Sequence, residues 1–189
     1  MQWNDHSRDI PAGAHALFGA SNYAWLKYDP EKAIRFYNAI LARKKGVELH
    51  DTARRCIDNG LQLKGRNYLS KYVNDAIGYR MRTEQPLKFT NNFFGTSDAI
   101  IFDEKNSLLR IHDLKTGETP AKLDQLLIYA ALFCLEYHIN PMDIEHELRI
   151  YQINNDILAD NPDGSQVAEV MDHMRILDNA IEDYKEGLM

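Results

Sequence analysis

Two runs, FFGTSDAIIFDE (93–104) and LLRIHDLK (108–115), constrain this chain more than anything else in it. Both are rich in aliphatic and aromatic residues over strand lengths, and Lys105-Asn106 between them supplies a turn, so they predict a β-hairpin. With a two-residue turn, Glu104 faces Ser107, Phe102 faces Leu109, Ile100 faces Ile111, Asp98 faces Asp113 and Thr96 faces Lys115. Directly opposed Cβ atoms in an antiparallel pair lie about 4.5–5.5 Å apart. One face of the hairpin is then apolar at the turn end and carries two carboxylates and a lysine at the other. A longer loop that slipped the register by one would send one Asp to solvent.

Opposed carboxylates repel, and a buried pair needs a proton, a cation or a metal between them. Hard divalent ions such as Mg²⁺ take carboxylate oxygens together with phosphate oxygens. A lysine on the same face can hold an attacking water or offset charge on a phosphate in the transition state. The set Asp98, Asp113 and Lys115 therefore suits metal-assisted phosphodiester hydrolysis.

The rest of the chain predicts helices around a small sheet. Asp29-Pro30 starts a helix that would run to Lys45 and break at Gly46, and a second would cover 47–59. A third covers 65–82, with Tyr68, Tyr72, Ala76 and Tyr79 on one stripe. Pro86–Phe89 is a short strand. Residues 119–138 form a long helix with Thr119 as N-cap and Pro120 at its first position; 146–153 is another strand and 165–186 a terminal amphipathic helix. This order gives an α/β (α+β) domain with a small central mixed sheet of about four strands flanked by helices. No repeat or long linker interrupts it, so residues 1–189 read as a single domain.

Gln125 and Tyr129 are four apart on the helix after the hairpin and project from one face. They flank an apolar stripe that must lie on the sheet, where they can meet a substrate phosphate. His50, following Gly46-Val47-Glu48-Leu49, opens the second helix and is a candidate further ligand.

Charge is unevenly spread. The net charge is −6, but residues 31–90 hold 13 Lys and Arg against 6 Asp and Glu, while residues 91–189 hold 7 against 19. A basic segment beside an acidic one suits a polyanion partner with cation-binding carboxylates nearby; two solvated helix faces of opposite sign are the plain alternative. Cys56 and Cys134 are far apart in helix-like patterns and predict reduced core thiols. No secretory signal is visible at the start, and no apolar run approaches the roughly 18 residues that span a bilayer. The expected setting is cytoplasmic, without membrane association.

The ordered series GVELH (46–50), GTSDAI (95–100), IHDLKTG (111–117) and QLLIY (125–129) resembles the RecB-like branch of the PD-(D/E)XK nuclease superfamily, above all its short single-domain phage and prophage members. The resemblance implies a restriction-endonuclease-like core and a Mg²⁺- or Mn²⁺-dependent DNA exonuclease, working on DNA ends in recombination, repair or phage replication, in a bacterial cell or phage-infected host. It implies His50, Asp98, Asp113 and the backbone carbonyl of Leu114 as metal ligands, with Glu48 as an additional candidate. Lys115 would orient the nucleophilic water, and Gln125 and Tyr129 would contact DNA or the scissile phosphate. Arg43, Lys44, Lys45, Arg54, Arg55, Lys64 and Arg66 would flank the DNA path. The iron–sulfur members of this branch need four cysteines and this chain has two, so no cluster is expected. A single-strand-binding or annealing protein and a homo-oligomer are implied as possible partners. A structure-specific endonuclease or nickase, and an inactive DNA- or protein-binding module on the same fold, are the alternatives.

Overall fold

The computed structural model describes Arg8, residues 14–117 and residues 121–187. The chain divides at Lys45/Gly46 into two compact units. Among the described residues there are four α-helices and one five-stranded mixed sheet.

In the first unit, a 3-10 turn at Tyr23–Lys27 leads into helix α1, Pro30–Asp58, whose residues from Gly46 onward belong to the second unit. Asp29 caps α1 as the sequence predicts: its Oδ1 accepts the Lys32 amide at 2.6 Å. Phe18 packs on Trp25, Tyr28 and Phe36, and the Trp25 indole donates to the Gly19 carbonyl. None of residues 14–45 is buried.

α1 corrects one expectation. It runs through Gly46 as a single helix, so there is no break at that glycine and His50 sits well inside the helix. An interior glycine costs a helix only about 1 kcal/mol, and here its missing side chain is used. A Cβ on Gly46 would stand 2.7 Å from Thr116 Oγ1, so the glycine lets α1 pass close to the end of the third strand.

The second unit begins with the last turns of α1 and helix α2, Tyr68–Gly78, capped by Asn67 and shorter than the expected 65–82. Strands β1 (Arg82–Lys88), β2 (Phe94–Asp103) and β3 (Leu108–Lys115) form an antiparallel meander. Helix α3 (Asp124–Tyr137) crosses over to β4 (Glu145–Gln152), which lies parallel to β3. β5 (Ile157–Asp160) pairs antiparallel with β4, and α4 (Gly164–Glu186) closes the unit behind a capping box of Asp163 and Gln166. The sheet order is β1-β2-β3-β4-β5.

The sheet has five strands instead of about four, and β1 spans seven residues where the sequence suggested four. α3 starts at Asp124, five residues after the expected cap; Thr119 and Pro120 lie outside the described residues. The hairpin turn holds four residues, Glu104–Ser107, with Ser107 at φ 50°, instead of two. Since the extra residues are split evenly, one on each side, the register is the one expected, with Ile100 opposite Ile111 and Phe102 opposite Leu109.

Each face of the sheet is covered. Leu109, Ile111, Leu148 and Ile150 pack under α3 and α4, while Ala99, Leu114 and Tyr151 pack with α2 and with Ala53 and Ile57 of α1. β3 is thus buried on both sides, which is why its apolar run is nearly continuous. Cys134 is buried in the α3 core and Cys56 is half-buried; both are free thiols. No described helix is long and apolar enough to cross a membrane.

Candidate active site

The site lies where β2 and β3 part. Their ladder runs from Asp103↔Leu108 to Ala99↔His112 and stops, while β3 continues against β4 to Lys115↔Gln152. Asp98 and Asp113 are the next residues in register, at the fork. There the Asp98 carboxylate accepts the Leu114 amide at 3.0 Å, standing in for a ladder bond. The same oxygen is 3.4 Å from His50 Nδ1, brought in by α1.

Asp113 is only 2 % exposed. Lys115 Nζ donates to its Oδ1 at 3.1 Å and stands 2.9 Å from Oδ2, which is buried and has no hydrogen bond of good geometry. Lys115 also donates to Gln125 Oε1 at 2.8 Å, and Gln125 Nε2 donates to the Tyr129 hydroxyl at 3.1 Å. A continuous polar chain therefore runs Asp113–Lys115–Gln125–Tyr129 from the strand to α3. All of His50, Asp98, Asp113, Lys115, Gln125 and Tyr129 meet at this fork. Leu114, between Asp113 and Lys115 on β3, is wholly buried.

Burial pushes the Asp98 carboxyl up to about 6, and the charge of Asp113 adds to the rise; the Leu114 amide and His50 pull the other way. Two residues not singled out as site residues take part. Glu84 carries a left-handed φ of 47°, uncommon for a residue with a side chain, and falls at a gap in the β1–β2 ladder beside Asp98. Its negative charge also raises Asp98. Tyr72 of α2 is buried, and its phenol is pushed well above its ordinary range by burial and then by Asp98 and Asp113. A strained backbone angle leaves no mark in sequence, so nothing could have flagged Glu84. Tyr72 was visible only as one member of a core stripe.

Gly95 is part of the site's construction. A Cβ there would stand 2.9 Å from Tyr129 Cε1, so the tyrosine ring lies directly on β2. Gly95→Ala is expected to push that ring away from Gln125, costing about 1 kcal/mol of stability from overpacking and lowering any turnover that depends on Tyr129. Thermal unfolding and a turnover assay check this; a variant unchanged in both would mean the ring is not held in place by this contact.

Not every candidate converges. Glu48 is exposed. His112, inside the quoted motif, turns to the α2 side, where its buried ring packs against Tyr79 and Tyr151 and burial lowers its pKa. Among the proposed DNA contacts, Arg54 is bound by Asp51 and Asp58, and Arg55 by Asp51, so these cations are largely matched on their own helix. Lys64 and Arg66 are exposed between α1 and α2. Arg43, Lys44 and Lys45 are exposed on the first-unit part of α1.

The donors suit a hard divalent ion: two repelling carboxylates, one with a buried oxygen that lacks a hydrogen bond of good geometry. Among the described residues, no group of three or more His, Cys, Asp and Glu side chains is already disposed around one point. The Lys115 ammonium is the cation that faces Asp113.

No family model, no curated protein and no solved structure matches this chain.

Proposed function

We propose that this chain is a divalent-metal-dependent deoxyribonuclease that degrades DNA from its ends. The observation that carries the reading is the fork of β2 and β3, with Asp98 and Asp113 adjacent and Lys115 bound to Asp113. Asp98 and Asp113, with His50 beside Asp98 and the Leu114 backbone between the strands, would hold Mg²⁺ or Mn²⁺. When bound, the ion supplies Lewis-acid stabilisation of the charge that develops on the scissile phosphate. Lys115 is anchored between Asp113 and Gln125, so its ammonium is oriented before substrate arrives and can position the attacking water. Gln125 and Tyr129, at the outer end of the chain, bind the phosphate.

The test is incubation of end-labelled linear DNA and closed circular DNA with Mg²⁺, Mn²⁺ or EDTA. The expected result is loss of linear DNA alone, abolished by EDTA. Cutting of circles would make the protein an endonuclease instead. One observation favours a second reading, a DNA- or protein-binding module without turnover: among the described residues no group of three or more His, Cys, Asp and Glu side chains is already disposed around one point. DNA binding without cleavage of either substrate would support it and defeat the first.

A further inference from the structure

Past the fork, β2 runs on with β1 alone. The β2–β3 ladder ends at Ala99↔His112, while the β1–β2 ladder continues to Lys88↔Phe94. The two strands thus continue beyond Asp98 as a two-stranded ribbon. Side chains alternate along a strand. Gly95 lies against the Tyr129 ring of α3, so Phe94 and Thr96 point to the other face of the ribbon, the side on which α1 brings His50 to Asp98. Across from them stand Lys88 and Pro86, paired as Lys88↔Phe94 and Pro86↔Thr96. All four are exposed.

Phe94 is 70 % exposed, although Phe93 beside it packs on the core. One exposed apolar side chain is ordinary; its position is what matters here. Phe94 is four residues from Asp98 on the same strand, about 13 Å at about 3.3 Å per residue. That is within a few nucleotides of a phosphate held at the carboxylates. The Lys88 ammonium donates to the neutral Asn91 amide at 2.8 Å and has further donors for a phosphate oxygen.

We propose that the fork takes single-stranded DNA, and that Phe94 is the platform on which a base near the scissile bond stacks. An aromatic face with a cation beside it suits an unpaired nucleotide, the base on the ring and the backbone on the charge. A duplex stacks its bases on one another and offers such a ring nothing. Duplex binding rests on phosphate contacts, and these are scarce near the site: the chain carries a net charge of −6, and Arg54 and Arg55, about a turn beyond His50, are matched by Asp51 and Asp58. The proposal names the substrate class of the site and rests on the nuclease reading for what happens there, but the platform is measurable without turnover.

Anisotropy of dye-labelled DNA in EDTA tests it. The probes are a short single strand, the same strand with abasic sites in place of its bases, and a blunt duplex of that sequence. Wild type is expected to bind the intact strand about tenfold more tightly than the abasic strand or the duplex. Phe94→Ala should bind the intact strand about tenfold more weakly and the abasic strand as before. Phe94→Trp should keep the preference, and Phe94→Leu, apolar without a flat ring, should lose it. With Mg²⁺, Phe94→Ala should raise KM for the single strand and leave kcat near wild type, the mark of a contact made equally in ground and transition states. A wild type that binds intact and abasic strands alike, or a Phe94→Ala protein that binds the intact strand as wild type does, overturns the proposal. The two readings fail separately. If the Phe94-dependent preference is present in EDTA but no DNA is cut with Mg²⁺ or Mn²⁺, the platform stands and the nuclease falls. If duplex ends are degraded and the preference is absent, the nuclease stands and the platform falls.

Discussion

Lys115→Ala and Asp113→Asn are each expected to lower DNA turnover by about 10³-fold, the upper range for removing one group that stabilises developing charge. The two should differ in stability, and that difference separates their roles. Asp113 is almost wholly buried and Lys115 is the cation against it. Lys115→Ala strands a buried carboxylate; since the lysine side chain is about one-third exposed, solvent relieves part of the penalty, leaving about 1–3 kcal/mol of destabilisation. Asp113→Asn removes a charge from beside Asp98 and keeps a side chain of the same shape, so it should cost little or be stabilising. Turnover measured on end-labelled DNA with Mg²⁺, beside thermal unfolding of each variant, gives both readouts. A Lys115→Ala protein that cuts at the wild-type rate would remove the lysine from the chemistry.

What made these residues legible is the period of a strand. Side chains alternate, so one turn position sets every opposed pair from Phe102↔Leu109 down to the fork. The turn holds two residues more than expected and the register is unchanged, because one is added on each side; an odd number would move side chains to the other face. Gln125 and Tyr129 were legible for the same kind of reason, from helical spacing. Three features were not. The single helix α1 is not, because an interior glycine costs a helix only about 1 kcal/mol, and what calls for a glycine at position 46, the close approach to Thr116, is tertiary. β5 is four residues long and mostly exposed, too brief to show alternation. Glu84 reaches the site through a backbone angle, and residue type does not encode that angle. The basic segment is legible as composition, yet composition counts Arg54 and Arg55 as free cations; their pairing with Asp51 at i, i+3 and i, i+4 lies within the helix expected over 47–59 and shows only when spacing is read beside charge.

Asp98→Asn should raise the stability of the metal-free protein, and only at neutral and higher pH. The folded carboxyl titrates at about 6 because it is buried beside Asp113, against 3.8 when free of those surroundings. Below the lower value both folded and unfolded chains hold the proton, and Asp98 costs nothing. Between the two, the folded chain binds more protons than the unfolded one, so stability falls as pH rises. Above about 6 the full cost is present, on the order of 2–3 kcal/mol for a displacement of this size. Asparagine carries no charge at any of these pH values, and its carbonyl can still accept the Leu114 amide. The variant should therefore melt roughly 5–10 °C above wild type at about pH 7.5 in EDTA, and level with it at about pH 4. Mg²⁺ should raise the wild-type melting temperature at the higher pH by binding the folded state. It should leave Asp98→Asn nearly unmoved, because one of the two carboxylates that call for a cation is gone. Equal melting of variant and wild type at both pH values would mean that the fork holds no repelling pair, and the reason for a cation there would go with it.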